Sequence, residues 1–107
     1  MGLHGARYLH VLVPCPLGWG SAAAATVQIA RLATESGLFP VWEGEHGEIT
    51  ATTPIRRRVP VEEYLRPQKR YAHLFQPEVR RDVLDRLQAL ADRNIARFNL
   101  LPEERQP

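Results

Sequence analysis

The fold of this chain is decided by the stretch Arg7-Tyr-Leu-His-Val-Leu-Val-Pro-Cys-Pro-Leu-Gly-Trp-Gly20. Residues 8–13 carry bulky side chains at odd and even positions alike, which is typical of a strand buried on both faces. Pro14 and Pro16 end the strand, because neither has a backbone N–H to donate to a neighbouring strand. Cys15, the single cysteine of the chain, is therefore expected on a stiff, extended turn. In an open α/β sheet such a strand-to-helix turn lies at the carboxyl edge, where cofactors bind.

One helix and two further strands are expected after this turn. Residues 22–36 are mostly small and apolar, and they predict a helix packed closely against a sheet, with Ser21 as N-cap and Gly37 as its stop. Residues 38–43 predict a second strand parallel to the first, and residues 48–53 a short edge strand. The predicted fold class is thus α/β, built on a β-α-β unit with parallel strands.

The second half of the chain predicts two helices. The first spans Val61 to Leu65, and Pro67 ends it. The second is amphipathic and runs from about Glu78 to Phe98. Parallel sheets are normally covered on both faces, so we expect the chain to be part of a larger body. The predicted organisation is a single partial domain over residues 1–107, with a β-α-β core (1–54), an extended arm (55–76) and a C-terminal helix (77–99).

Composition excludes several classes of protein. Of the 107 residues, 44% are hydrophobic and 24% charged, as in soluble globular proteins. No apolar run reaches the roughly 18 residues that a membrane span requires, and the N-terminus does not resemble a signal peptide, so a cytoplasmic location is expected. The only dense basic run, Arg56-Arg-Arg58, has no stacking aromatics beside it. This disfavours nucleic-acid binding and favours a solvated loop or contact with an acidic partner.

The residues alone leave the role of Cys15 open. A lone cysteine at the end of an apolar strand is most often inert, and a reactive thiol needs a nearby base or helix N-terminus. His10 lies on the same strand, but its odd separation from Cys15 places it on the other face. The four histidines His4, His10, His46 and His73 lack the close spacing of a zinc site. Trp19 is expected to pack on the sheet edge or to shield a cofactor from water.

Four ordered segments resemble the β subunit of pyruvate:ferredoxin oxidoreductase, a 2-oxoacid:acceptor oxidoreductase. The first is the Cys-Pro-x-Gly-Trp-Gly segment within Tyr8–Gly20, near the C-terminus of that subunit. The others are Ile29–Pro40, the Val-Glu-Glu-Tyr-Leu run within Pro60–Leu65, and Arg70-Tyr-Ala-His-Leu74. The resemblance covers most of the chain up to about Leu74.

The resemblance implies part of a thiamine diphosphate-binding fold and part of an enzyme that oxidatively decarboxylates pyruvate to acetyl-CoA. It implies that Cys15 is one ligand of a four-iron cluster whose other ligands lie upstream on another chain or segment. Thiamine diphosphate and magnesium belong only to the complete enzyme, because the Gly-Asp-Gly anchor of the family does not occur here.

The partners implied by the resemblance are other oxidoreductase subunits, or the N-terminal part of the β subunit, together with ferredoxin. No membrane or nucleic-acid partner is expected, and the chain is not expected to be catalytic alone. The alternative left open by the sequence is a non-catalytic, stand-alone small subunit or an orphan binding domain.

Overall fold

Helices dominate the computed structural model, which describes residues 5–102. No helix within these residues is long and apolar enough to cross a bilayer. The elements in chain order are α1 (Pro16–Trp19), a 3₁₀ turn (Ala23–Ala25), α2 (Thr26–Glu35), β1 (Trp42–Glu45), β2 (Glu48–Thr52), α3 (Val61–Leu65), a 3₁₀ helix (Lys69–Leu74) and α4 (Arg81–Arg97).

Helix α2 confirms the helix predicted after the cysteine turn. Ile29 and Ala33 lie one turn apart and are both buried, as the spacing of a helix with one apolar face requires. Gly37 ends the helix in a left-handed conformation with φ +89°. This conformation favours glycine because a side chain there meets the following backbone. The helix stop predicted at Gly37 is confirmed.

The predicted N-cap of this helix is wrong. No side-chain hydrogen bond caps the 3₁₀ turn that leads into α2, and the N-cap position of that turn is Ala22. Ser21 instead donates its backbone N–H to the Pro16 carbonyl at 3.1 Å. Its hydroxyl is buried without a hydrogen-bond partner among the described residues. The chain turns back on α1 at Ser21, so the side chain cannot reach the first turn of the helix.

The hydrophobic core forms where α2, α3, the 3₁₀ helix and α4 meet. Its buried side chains are Ile29, Ala33, Val61, Tyr64, Leu65, Leu74, Leu84 and Ala91. A second cluster closes the end of α4 and consists of Ile95, Phe98, Leu100 and Leu101. Helix α4 is amphipathic as predicted, but it begins at Arg81. The preceding residue, Arg80, donates its backbone N–H to the Leu74 carbonyl at 2.7 Å, which turns the chain away from helical geometry.

The parallel β-α-β unit is not confirmed. Residues 8–13 form no backbone hydrogen bond with other described residues, and so they are not part of a sheet. The sheet present in residues 5–102 is an antiparallel hairpin of β1 and β2. Its turn residues His46 and Gly47 have φ of 53° and 80°, as a type I′ turn requires. A hairpin needs only this local turn, whereas a parallel pair needs a partner strand that residues 8–13 do not find within the described range.

The two later strands differ in how well the sequence predicted them. Strand β2 confirms the strand predicted over residues 48–53, ending one residue earlier. Strand β1 begins at Trp42, four residues after the predicted start. Leu38 and Phe39 pack against the core instead of pairing. The base of the hairpin is fixed by stacking of Trp42 on Phe98, with 5.4 Å between ring centroids.

An ion pair between α3 and α4 gives the fold an acid-sensitive contact. Glu62 accepts a hydrogen bond from Arg81, and Arg66 lies 3.6 Å away on the other side of its carboxylate. The hydrogen bond from Arg81 is the main cause that lowers the pKa of Glu62 below its usual 4.5. Because the folded pKa is depressed, the stability from this pair is present above the unfolded pKa and is lost as the pH falls through the folded pKa.

We expect Glu62→Gln to lower the free energy of unfolding at neutral pH by less than about 1 kcal/mol, the size measured for exposed ion pairs. The same variant should lose less stability than the wild type on acidification from about pH 5 to about pH 3. Urea unfolding at both pH values measures this difference. An acid dependence identical to that of the wild type would contradict the assignment.

Candidate functional site

The Cys15 loop, defined here as residues 15–21, turns tightly around helix α1. Cys15 has extended backbone angles, as predicted, and stands at the N-cap of the single helical turn. Its Sγ accepts the Gly18 N–H at 3.4 Å, and its carbonyl accepts the Trp19 N–H at 2.8 Å. Gly20 closes the turn with φ +67°. The thiol is free and exposed, so the loop presents it outward.

The loop is attached to the rest of the molecule through Trp19. The guanidinium carbon of Arg70 lies 3.8 Å from the centroid of the Trp19 ring and 4.6 Å from that of Tyr71. A guanidinium over an aromatic face is attracted by the negative face of the ring and also covers it from water. The predicted packing of Trp19 on a sheet edge is therefore replaced by packing on the 3₁₀ helix.

A partly buried hydrogen-bond network holds Arg70 in place. Its Nε donates to Gln68 Oε1 at 2.7 Å, and its Nη2 lies 3.4 Å from the Tyr64 hydroxyl. Gln68 is 0% exposed, and its Nε2 donates to the Tyr64 carbonyl at 2.6 Å. Burial raises the pKa of the Tyr64 hydroxyl above its usual 10.0, so this group is neutral at pH 7, as an exposed tyrosine also is. Arg70 is fixed by groups that are themselves fixed in the core.

A backbone contact gives the loop its second attachment. Lys69 donates its N–H to the Gly20 carbonyl at 3.1 Å. A Cβ at Gly20 would lie 2.6 Å from the Lys69 Cβ, so only glycine fits this close approach. The Gly-Trp-Gly run and the Arg-Tyr-Ala-His-Leu run, which are about fifty residues apart, thus meet in space.

The chemistry available at the loop is that of one thiol. Within residues 5–102, no group of three or more His, Cys, Asp or Glu side chains is placed to hold a metal ion. The ring centroid of His10 lies 5.3 Å from that of Phe39 and 6.1 Å from that of Tyr8, so the His10 side chain packs against aromatic rings. His4 lies outside the described residues. Cys15 can supply one ligand to a metal centre whose other ligands come from elsewhere.

The arginine run lies apart from this loop. Arg56 and Arg57 line a cavity of about 610 Å³ together with Arg31 and Glu35 of α2, and this cavity shares no residue with the Cys15 loop. Arg58 pairs with Asp92 of α4 at 2.6 Å. Two arginines of the run therefore line an open cavity, and the third makes an ion pair within the fold.

The residues that support the loop were not predicted from the sequence. Tyr64 and Arg70 are recognisable there only as members of two motifs, and Gln68 gives no signal of its own. The available signal is indirect: Trp19, set between two glycines, needs a partner for its ring, and arginine is a common one. The pairing itself depends on the tertiary structure.

Several curated proteins are similar in sequence to most of this chain. No family model matches it. The pyruvate synthase subunit PorB of Methanosarcina barkeri is 47% identical over 96 residues, which cover 90% of this chain and 32% of the relative. PorB of Methanocaldococcus jannaschii is 43% identical over 81 residues, which cover 76% of this chain and 27% of that relative. The ketoisovalerate oxidoreductase subunit VorB of Pyrococcus abyssi is 32% identical over 77 residues, which cover 70% of this chain and 25% of that relative.

These matches define the chain as a homologue of subunits from 2-oxoacid oxidoreductases. More narrowly, it belongs to the family of PorB and VorB subunits, which confirms the resemblance found in the sequence. The chain spans about a third of the length of the M. barkeri relative and about a quarter of the P. abyssi relative.

Proposed function

We propose that this chain forms the C-terminal part of the β subunit of a 2-oxoacid:ferredoxin oxidoreductase, and that its oxoacid is pyruvate. The observation that carries the proposal is the 47% identity to a PorB subunit over 90% of the chain. Pyruvate is favoured because the relatives at 41–47% identity are all named as PorB subunits of pyruvate synthases. The complete enzyme would act in the cytoplasm and oxidatively decarboxylate pyruvate to acetyl-CoA.

In this proposal Cys15 supplies one thiolate ligand to a shared iron–sulfur cluster. An exposed free thiol that receives one N–H from Gly18 fits this task, because N–H donors stabilise a cluster thiolate. The remaining ligands would come from other subunits or from the rest of the β subunit. When bound, such a cluster carries electrons from oxoacid oxidation towards ferredoxin.

The loop would present the thiol in one orientation, and Trp19 would limit the access of water to a bound cluster. Trp19 is held by Arg70 on one face, and its ring is partly buried against the core. Apolar rings beside a cluster reduce its contact with solvent, which is one way in which a protein tunes a redox potential. The role of this chain is therefore to position a ligand and to provide scaffold.

The thiamine diphosphate and magnesium of the complete enzyme would be bound by the remaining part of the assembly. The aspartates of this chain are Asp82, Asp85 and Asp92, all on α4. Asp82 pairs with Arg80 and Asp92 with Arg58, so two of the three carboxylates serve contacts within the chain. The chain would contribute part of the thiamine diphosphate-binding fold without the cofactor's metal anchor. Arg56 and Arg57 would favour approach of an acidic ferredoxin.

The test is an anaerobic pull-down of the tagged chain from its own cells, with iron content and visible absorbance read on the eluate. We expect larger partner subunits and brown, iron-rich material with the wild type. Cys15→Ser should reduce the iron per complex to less than half, because a hydroxyl is a poor ligand for this iron. Leu17→Ser, at an exposed position in the same loop, is the matched control and should leave the iron content unchanged.

Two results would count against the proposal. Unchanged iron and absorbance in Cys15→Ser would remove the ligand role from this residue. A colourless, monomeric, well-folded wild type would instead support a stand-alone small subunit or orphan binding domain. The observation that favours this alternative is the buried core shared by α2, α3 and α4, because a chain that folds alone needs such a core.

A further inference from the structure

Residues 8–13 form a segment without helix, turn, bend or strand pairing, and most of its side chains are exposed. His10 packs edge-on against the Phe39 ring, and Leu12 packs against the main core. At the alternating positions, Leu9, Val11 and Val13 are 85%, 62% and 70% exposed, and Tyr8 is 87% exposed. Both sides that the sequence predicts to be buried therefore lack cover, apart from the contacts of His10 and Leu12.

The backbone of this segment also has no partner among the residues that the structure describes. No hydrogen bond joins the backbone of residues 8–13 to that of any other residue in the described range 5–102. Backbone N–H and C=O groups are nearly always paired once they are buried, and an extended segment pairs them with a neighbouring strand. An unpaired, apolar extended segment is a template for strand addition.

This combination distinguishes the segment from ordinary exposed apolar residues. Val27 on α2 is as exposed as Val13, but it stands on a helix whose backbone is already paired. Single exposed apolar side chains are common and need no partner. Three in a row on one face of an unpaired segment are typical of an interaction surface.

We propose that residues 8–13 are a docking strand for the rest of a PorB-type subunit. That part would supply a β-strand that pairs with the backbone of residues 8–13 and an apolar layer that covers Leu9, Val11 and Val13. This inference rests on the proposed function and names the surface and the mode by which this chain joins its partner.

Two observations identify the occupant. The PorB relatives contain roughly two to three times as much further sequence as the part matched here, since the matches cover 32% and 27% of their length. The occupant must offer backbone partners as well as apolar area, because a helix laid on this face would leave the N–H and C=O groups of the segment unpaired. A strand with an apolar layer behind it meets both needs.

The probe is the part of M. barkeri PorB that lies outside the region matched by this chain, co-expressed with the full chain. The expected result is a complex in which the amides of residues 8–13 exchange with deuterium at least about tenfold more slowly than in the chain alone. Val11→Asp should weaken the complex at least about tenfold, because a carboxylate would be buried without a partner. Val27→Asp, the matched control on an exposed valine of α2, should bind like the wild type.

Four results would overturn the proposal: no complex with the wild type, normal binding by Val11→Asp, equal loss in Val27→Asp, or a complex without protection of residues 8–13. A dimer of the chain alone that Val11→Asp dissociates would assign the surface to a second copy. Iron content is read separately on the same complex. A protected but colourless complex would support the docking strand and count against the ligand role of Cys15, so the two proposals can fail independently.

Discussion

Gly37→Ala is expected to lower the free energy of unfolding by about 3 kcal/mol, enough to endanger the fold of a small domain. Gly37 has φ +89°, where a side chain costs about 1 kcal/mol. A Cβ would also lie 2.8 Å from Ile95 Cγ1 and 2.9 Å from the Ala91 carbonyl oxygen. The carbonyl belongs to the backbone of α4 and cannot move aside, so overpacking adds about 1–3 kcal/mol.

Gly47→Ala is the matched control for this prediction. Gly47 has a similar φ of +80°, in the turn of the β1–β2 hairpin, but a Cβ added there would meet nothing within 4 Å. This variant should therefore lose only the conformational cost, about 1 kcal/mol. Urea unfolding followed by circular dichroism measures both. Equal losses in the two variants would show that the approach of Gly37 to α4 contributes nothing.

The contact at Gly37 explains how α2 is held against α4. The Asn94 side chain donates to the Gly37 carbonyl at 2.9 Å, next to the place where Ala91 and Ile95 approach the same glycine. The end of α2 is thus fixed on the C-terminal part of α4 by close packing and by a hydrogen bond. The Cys15 loop and the docking strand are carried by a body whose helices are joined at this point.

The sequence predicted those elements whose signals are local. Helix α2, the short helix α3 and the amphipathic α4 all follow from residue spacing and from the residues that stop helices, Gly37 and Pro67. Gly37 shows the limit of such signals. Its backbone role was predicted, but the contact with Ile95 was not, since nothing local indicates which helix lies behind a glycine.

The strands were predicted less well, because a strand is defined by its partner. The pattern of residues 8–13 predicts a strand buried on both faces, but residues 5–102 offer it no neighbouring strand. The two prolines correctly predicted the turn at Cys15. The support for that turn depends on Arg70, which lies about fifty residues further along the chain and which only the tertiary structure brings to Trp19.

Arg70→Ala is expected to loosen the Cys15 loop, so that the amides of residues 19–21 exchange about 30-fold faster or more. The variant removes a cation–π contact at 3.8 Å, which contributes about 1–2 kcal/mol. It also leaves the buried Oε1 of Gln68 without the hydrogen bond from Arg70, at a cost of about 1–3 kcal/mol. A combined loss of about 2 kcal/mol corresponds to the stated factor, since 1.4 kcal/mol is tenfold.

Arg66→Ala separates loosening of the loop from general destabilisation. Arg66 also stacks on an aromatic ring, that of Phe75 at 4.3 Å, and pairs with Glu62, and neither of these partners belongs to the loop. Its removal should leave the exchange of residues 19–21 unchanged relative to the core amides of α4. Arg70→Lys keeps the charge without the planar group, so it should resemble Arg70→Ala. Arg70→Ala and Arg66→Ala are compared by the amide exchange of residues 19–21. If both variants speed this exchange equally, Arg70 only stabilises the fold. The orientation of Cys15 must then depend on the Gly20–Lys69 contact alone.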